Sequence, residues 1–222
     1  MSHAGKVGDG LARALVTRIT EEGLAPGTRL PGEAQMLAEY QVGRGTLREA
    51  LRILEVSGLI AIRPGPGGGP VVREASTADF ARALTLFLQA RGLTLGETLQ
   101  ARLVLEPISA AAAAQRCTSE DAMGLLALAG SAREFHASVA ELAGNEVLGL
   151  FTVALNEICQ AQVGDLLQSA EVTRAQRDLA ETIGAGDPAR AELRMREHLA
   201  DLIRLVEQER PGLSDSVIDW MR

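Results

Sequence analysis

The chain has 222 residues, 46% hydrophobic and 23% charged, a balance that excludes a disordered or fibrous protein and leaves room for two small domains. No apolar run approaches the ~18 residues of a membrane span, and the polar N-terminus carries no signal core, so a cytoplasmic protein without a membrane partner is expected. The net charge of −7 is uneven, +1 over residues 1–75 and −8 over residues 76–222. That division leaves duplex nucleic acid open as a partner of the first part, whereas six scattered aromatics are too few for a single-strand stacking platform.

In chain order, Leu11, Leu15 and Ile19 recur every four residues and predict a helix over 9–22, ended by Gly23. Ala25-Pro26-Gly27-Thr28 is turn chemistry, and Leu30-Pro31-Gly32 opens a short helix over 33–40 with Met36 and Leu37 inward. After the tight turn Gln41-Val42-Gly43, a third helix over 44–57 buries Leu47, Ala50, Leu51 and Leu54 and stops at Gly58. Two β-prone segments, 59–63 and 71–73, flank the Gly/Pro-rich loop 64–70 and read as a hairpin. Three helices and such a wing make a winged helix-turn-helix over 1–75.

Past a linker at 74–78, strand signals disappear. Helices are expected over 79–90, 95–116, 119–129, 132–143, 146–167, 172–183, 188–208 and 214–220, so residues 76–222 form an all-α antiparallel bundle and the fold class is mainly α. Clear helix starts lie at Thr118-Ser119-Glu120-Asp121 and at Asp187-Pro188. Cys117 and Cys159 have no Cys-x-x-Cys partner and read as buried free thiols, which excludes a disulfide framework and a cysteine zinc site.

The chemistry starts on the third helix. Arg44, Arg48 and Arg52 recur every four residues and form one stripe beside the apolar face. Such a helix fits the major groove: Arg44 and Arg48 are the expected base readers, Thr46 can reach a phosphate or a thymine methyl, and Arg52 suits backbone phosphate. The alternative is an ordinary solvated face. The glycine loop tips the weighing towards DNA, because Gly67 and Gly68 let backbone N–H groups approach phosphate and Arg63 can enter a minor groove. Neither a P-loop nor a dinucleotide fingerprint is present.

Residues 16–72 resemble the N-terminal domain of the GntR-family bacterial transcription regulators, through Gly27-Thr28-Arg29-Leu30-Pro31-Gly32-Glu33, Gly43-Arg44-Gly45-Thr46-Leu47-Arg48-Glu49-Ala50-Leu51 and Gly58-Leu59-Ile60. The resemblance implies a homodimer on double-stranded operator DNA, with Arg44, Gly45, Thr46, Arg48 and the wing glycines at the contact. Gly43 replaces the usual Ser, which removes a helix cap, and Ala34 replaces an arginine that touches DNA in some relatives.

Downstream, Arg102-x-x-x-Glu106, Glu134-Phe135-His136, Gly144-Asn145 and Met195-x-x-His198-Leu199 are similar to the FadR-like subgroup, whose helical effector and dimerisation domain is called FCD. Many FCD domains bind a divalent metal through one Asp and three His. Here those positions hold Ala132, His136, Gln176 and His198, so two good ligands remain and neither metal nor other cofactor is expected. His136 and His198 read either as buried, hydrogen-bonded residues or as the polar floor of an organic-acid effector site. In that site Arg102 would offer a fork and Asn145 and Gln176 would offer amides. For Arg102 the competing reading is an internal pair with Glu106.

The expected function is a DNA-binding regulator, a repressor rather than an enzyme, controlled by a small organic acid. Two other classes stand against it. A metal-dependent bundle enzyme finds no Glu-x-x-His motif here, and an architectural DNA binder would need no effector.

Overall fold

The structure, a computed structural model, describes residues 3–65 and 67–220; Pro66 of the expected wing loop lies outside them. The fold is mainly α, and the chain divides into two compact units, Met1–Asp79 and Phe80–Arg222.

In the first unit, α1 (His3–Glu21), α2 (Glu33–Tyr40) and α3 (Arg44–Val56) precede antiparallel β1 (Ile60–Arg63) and β2 (Gly69–Val72). The spacing of Leu11 and Leu15 puts both on the side of α1 that packs with Leu47, Ala50 and Leu54 of α3, and Met36, Ile60 and Val72 complete this core. Helix α1 begins earlier than expected, because its first turns have no apolar stripe to read. Gly58 ends α3 at φ 74°, a conformation that disfavours any Cβ. Its N–H donates to Glu55 O and that of Leu59 to Leu54 O, at 3.0 and 2.9 Å.

The segment before α2, expected as a turn, also joins the wing. Arg29 bridges to Val71, the Leu30 N–H donates to Pro70 O at 2.9 Å, and the Val72 N–H donates to Thr28 O at 2.8 Å. A single bridge has no period-two pattern by which sequence could reveal it.

Helix α4 (Thr77–Ala90) crosses the division between units. The second unit continues with α5 (Leu95–Ala114), α6 (Ser119–Leu128), α7 (Ala132–Leu142), α8 (Glu146–Val163), a 3-10 helix (Gly164–Gln168), α9 (Ala170–Gly184) and α10 (Pro188–Glu209). Helix α10 lies along α5, and α7, α8 and α9 also pack against α5. Leu99, Ala110, Phe135, Ile158, Leu179 and Leu199 form part of one core.

Local chemistry explains the helix boundaries. Thr94 with Glu97 and Thr118 with Asp121 form capping boxes, and Asp187 caps α10 ahead of Pro188. Pro107 lies inside α5 and has no N–H to give the carbonyl of Leu103 one turn back. Arg196 Nη1 of α10 donates to that oxygen instead, at 3.5 Å.

Two expectations are corrected. Residues 214–220 are not a helix; they run beside the start of α5, where Val217 bridges to Thr94. The Leu95 and Gly96 N–H groups donate to Ser216 O and Ser214 O at 3.0 and 2.8 Å. The segment thereby satisfies first-turn donors of α5 that a helix of its own would have left without these carbonyls. Cys159 is buried, but Cys117 is only half-buried, since it sits where the chain leaves α5.

Candidate functional site

The first unit presents an arginine face. Arg44, Arg48 and Arg52 are all exposed, while Thr46 is half-buried beside the core residue Leu47. The nearest acid to Arg44 is Glu33, 3.9 Å from its Nε in a pair whose side chains are 79% and 58% exposed, so water and salt screen the attraction and the guanidinium stays available. A Cβ on Gly45 would meet no atom, so this turn lies open on one side. Gly43 gives α3 no side-chain cap, which leaves first-turn N–H groups to solvent or to an anion.

The wing turn is built for glycine. The Gly68 N–H donates to Gly65 O at 2.9 Å, and a Cβ on Gly68 would collide with Arg63 O. That contact is with backbone and cannot be relieved by a rotamer change. Gly68→Ala is therefore expected to open the turn and weaken duplex binding, while far-ultraviolet circular dichroism stays native. Retention of full DNA affinity would remove the turn from the contact. Arg63 is exposed opposite Gly69 in the register.

Sequence reasoning singled out no role for Arg29. It is exposed, and its Nη1 lies 3.7 Å from where a Gly67 Cβ would be. Only the bridge to β2 brings this guanidinium to the wing.

In the second unit, Arg102, Glu106, His136 and His198 form a connected buried cluster, the first two 1% exposed and the histidines 2% and 4%. Arg102 Nε donates to Glu106 Oε1 at 2.5 Å, and His136 Nδ1 lies 2.5 Å from Glu106 Oε2. The two imidazoles stack at 21° with Nε2 atoms 3.4 Å apart. Half of the expected Arg102 fork is thus held internally. Its Nη1 and Nη2 are buried with no nitrogen or oxygen partner among the described residues, the Cys159 thiol being a weak acceptor beside the guanidinium, so most of their donor capacity remains.

Electrostatics sort these groups. Burial would raise the Glu106 carboxyl, but Arg102 and His136 beside it prevail and hold it at about 2. The same carboxylate offsets the burial of Arg102 and keeps it charged. Burial, reinforced by His136, lowers His198 to about 3, so its ring is neutral at pH 7. Burial also pushes the Cys159 thiol up to about 11 despite nearby Arg102, which keeps it protonated and poorly nucleophilic.

Gln176 is fully buried, and its Oε1 accepts from the Gly130 N–H at 2.7 Å, leaving Nε2 unpaired among the described residues. Ala132 begins α7 one helical turn before His136. Asn145 is not brought into the cluster: it is exposed, and its Oδ1 caps α8 by accepting from the Leu148 N–H at 3.0 Å. The buried asparagine is instead Asn156, which shares an α8 face with Thr152 and Cys159, and the side-chain polar atoms of Asn156 and Thr152 lack partners among the described residues. Sequence offered only a weak signal for them, polar residues on an otherwise apolar stripe. A groove of about 410 Å³ between α9 and α10, lined by charges of both signs on Arg174, Asp178, Asp201 and Arg204 as well as by Val172 and Leu202, reaches His198. Among the described residues, no group of three or more His, Cys, Asp or Glu side chains is arranged to hold a metal ion, and no helix is long and apolar enough to cross a membrane.

A winged helix with an exposed arginine row, followed by a helical unit with a buried polar cluster, defines a DNA-binding transcriptional regulator with a sensor domain. The family model of the bacterial regulatory proteins of the gntR family matches residues 8–68, and that of the FCD domain matches residues 125–201. The chain belongs to the GntR family, in its FadR-like branch with an FCD effector-binding domain. It is 27% identical to an uncharacterized HTH-type transcriptional regulator of Mycobacterium tuberculosis, over 92% of each chain. It is also 27% identical to the HTH-type transcriptional repressor NanR of an Enterobacter species, over 87% of this chain and 83% of that one. Among solved structures, a GntR protein of Streptococcus agalactiae shares the fold with a TM-score of 0.62 and 23% identity, over 89% of this chain and 99% of the other.

Proposed function

We propose that this regulator is a cytoplasmic homodimeric repressor whose operator affinity is set by a small organic acid bound in the helical unit. Arg44 and Arg48 read bases and Arg52 holds phosphate; Gly45 lets the backbone approach, and Thr46 adds a phosphate or methyl contact. Arg63, Gly67 and Gly68 place the wing on the duplex, and Arg29 adds a phosphate contact beside them. Two such units engage the half-sites of a near-palindrome. The repressor name of the Enterobacter relative supports the direction of control.

The effector reading is carried by the buried cluster. Unpaired polar groups away from water are costly, and those on Arg102 and Gln176 are donors, which suits a carboxylate. The groove that His198 lines, with Arg174 and Arg204 among its charged walls, has a volume suited to a small molecule. An acid that favours one arrangement of the dimeric bundle changes operator affinity by the same factor by which operator changes acid affinity.

Selection of bound genomic fragments, followed by thermal shifts with a panel of organic acids, tests this reading. An acid at a hundred times its Kd should add about 2.7 kcal/mol to folded-state stability and change the affinity for the selected palindrome. If no acid does both, the effector reading fails; if no palindrome emerges, the repressor reading fails.

A further inference from the structure

We propose that the FCD domain of this chain works without the resident metal ion of its Asp-and-three-His relatives and keeps a metal-free hydrogen-bonding site in that place. The domain's identity places the four positions concerned at Ala132, His136, Gln176 and His198, and the structure tests each of them. The histidines keep a ligand-like spacing. Two nitrogens ~2.1 Å from a tetrahedral ion stand roughly 3.4 Å apart, and the Nε2 atoms of His136 and His198 are 3.4 Å apart. The other two positions do not fit a metal. Ala132 has no donor atom. Gln176 has one atom able to ligate, Oε1, a neutral carbonyl oxygen that suits zinc poorly and is turned to the Gly130 N–H at 2.7 Å. What Gln176 leaves unpaired is Nε2, a hydrogen-bond donor that cannot coordinate a cation.

Two imidazoles fall short of the three or four protein ligands that hold zinc, even though Glu106 on His136 Nδ1 is the kind of partner that orients a ligating imidazole. The chemistry of the place has therefore turned from electron-pair donation to N–H donation. For the proposed effector site the consequence is a response to acid that chelators leave unchanged. The metal question itself is decided without any effector, so its outcome and that of the effector reading are separable.

The test uses the full chain, purified without an affinity tag, stripped with a chelator and exposed to zinc chloride. Bound zinc after desalting and the melting temperature are read. The wild type is expected to retain no stoichiometric zinc and to show no shift. The double variant Ala132→Asp, Gln176→His, which restores both missing ligands, should retain one zinc per chain and melt several degrees higher. The single variant Gln176→His, with three imidazoles, provides the same reading at lower affinity should the double variant fold poorly. Stoichiometric zinc on the wild type would overturn the proposal. So would natively folded restored variants that bind none, because the four positions would then not surround one place.

Discussion

Arg48→Ala is expected to weaken binding to operator duplex by about 1–3 kcal/mol and to flatten the preference for operator over random duplex, the loss typical of a bidentate contact to guanine. The side chain is exposed one turn into α3, so its removal leaves the core of Leu47, Ala50 and Leu54 untouched and the melting temperature close to wild type. Arg29→Ala provides the contrast. Loss of one phosphate contact lowers the slope of log affinity against log salt by about 0.9 and weakens operator and random duplex alike. Fluorescence anisotropy titrations over a salt series measure both. Equal losses on the two duplexes for Arg48→Ala would make Arg48 a backbone contact, and an unchanged slope for Arg29→Ala would take Arg29 off the DNA.

The second large effect concerns the folded state of the helical unit. Glu106→Gln should destabilise it by about 3–5 kcal/mol, because the variant leaves the buried Arg102 guanidinium without its counter-charge. Replacing both members of the pair with Met should recover much of that loss, since neither charge is then left buried without the other. Urea unfolding measures both variants, and a Glu106→Gln midpoint equal to wild type would show that the pair is not buried in solution.

The same cluster sets the acid limb of stability. His198 is held at about 3 against an ordinary 6.5. The unfolded chain therefore takes up a proton that the folded chain refuses, and stability falls as pH drops from about 6.5 towards 3. The slope is at most about 1.4 kcal/mol per pH unit. Glu106, held at about 2 against 4.5, contributes stability that is complete above 4.5 and is lost as pH falls through 2. Urea midpoints at pH 7.5 and 5.0 should therefore differ in the wild type, and His198→Gln should narrow the difference. An equal pH dependence in both proteins would place His198 in contact with water.

The winged helix was legible because its determinants are local. The four-residue apolar spacing in α1, the run Gly43-Arg44-Gly45-Thr46-Leu47-Arg48 and the glycine-rich loop each act within a few residues of themselves. Patterning therefore found both the helices and the hairpin. The arginine stripe followed from helix geometry alone, and its exposure in the structure needs only that Leu47, Ala50 and Leu54 turn inward.

In the bundle, the helices were readable from their caps and apolar stripes, but the partners of its polar residues were not. The sequence by itself determined that Arg102 and Glu106 are one turn apart and that helix follows helix from α4 to α10. Tertiary structure decided that Glu106 also holds His136, that His136 meets His198 62 positions away, and that Asn156 rather than Asn145 is the buried asparagine. It likewise decided that the last residues run beside the start of α5 instead of forming a helix, and that Arg29 lies against the wing. Each of these outcomes depends on which faces of distant segments pack together, and burial of polar atoms by such packing leaves no periodic trace in the chain.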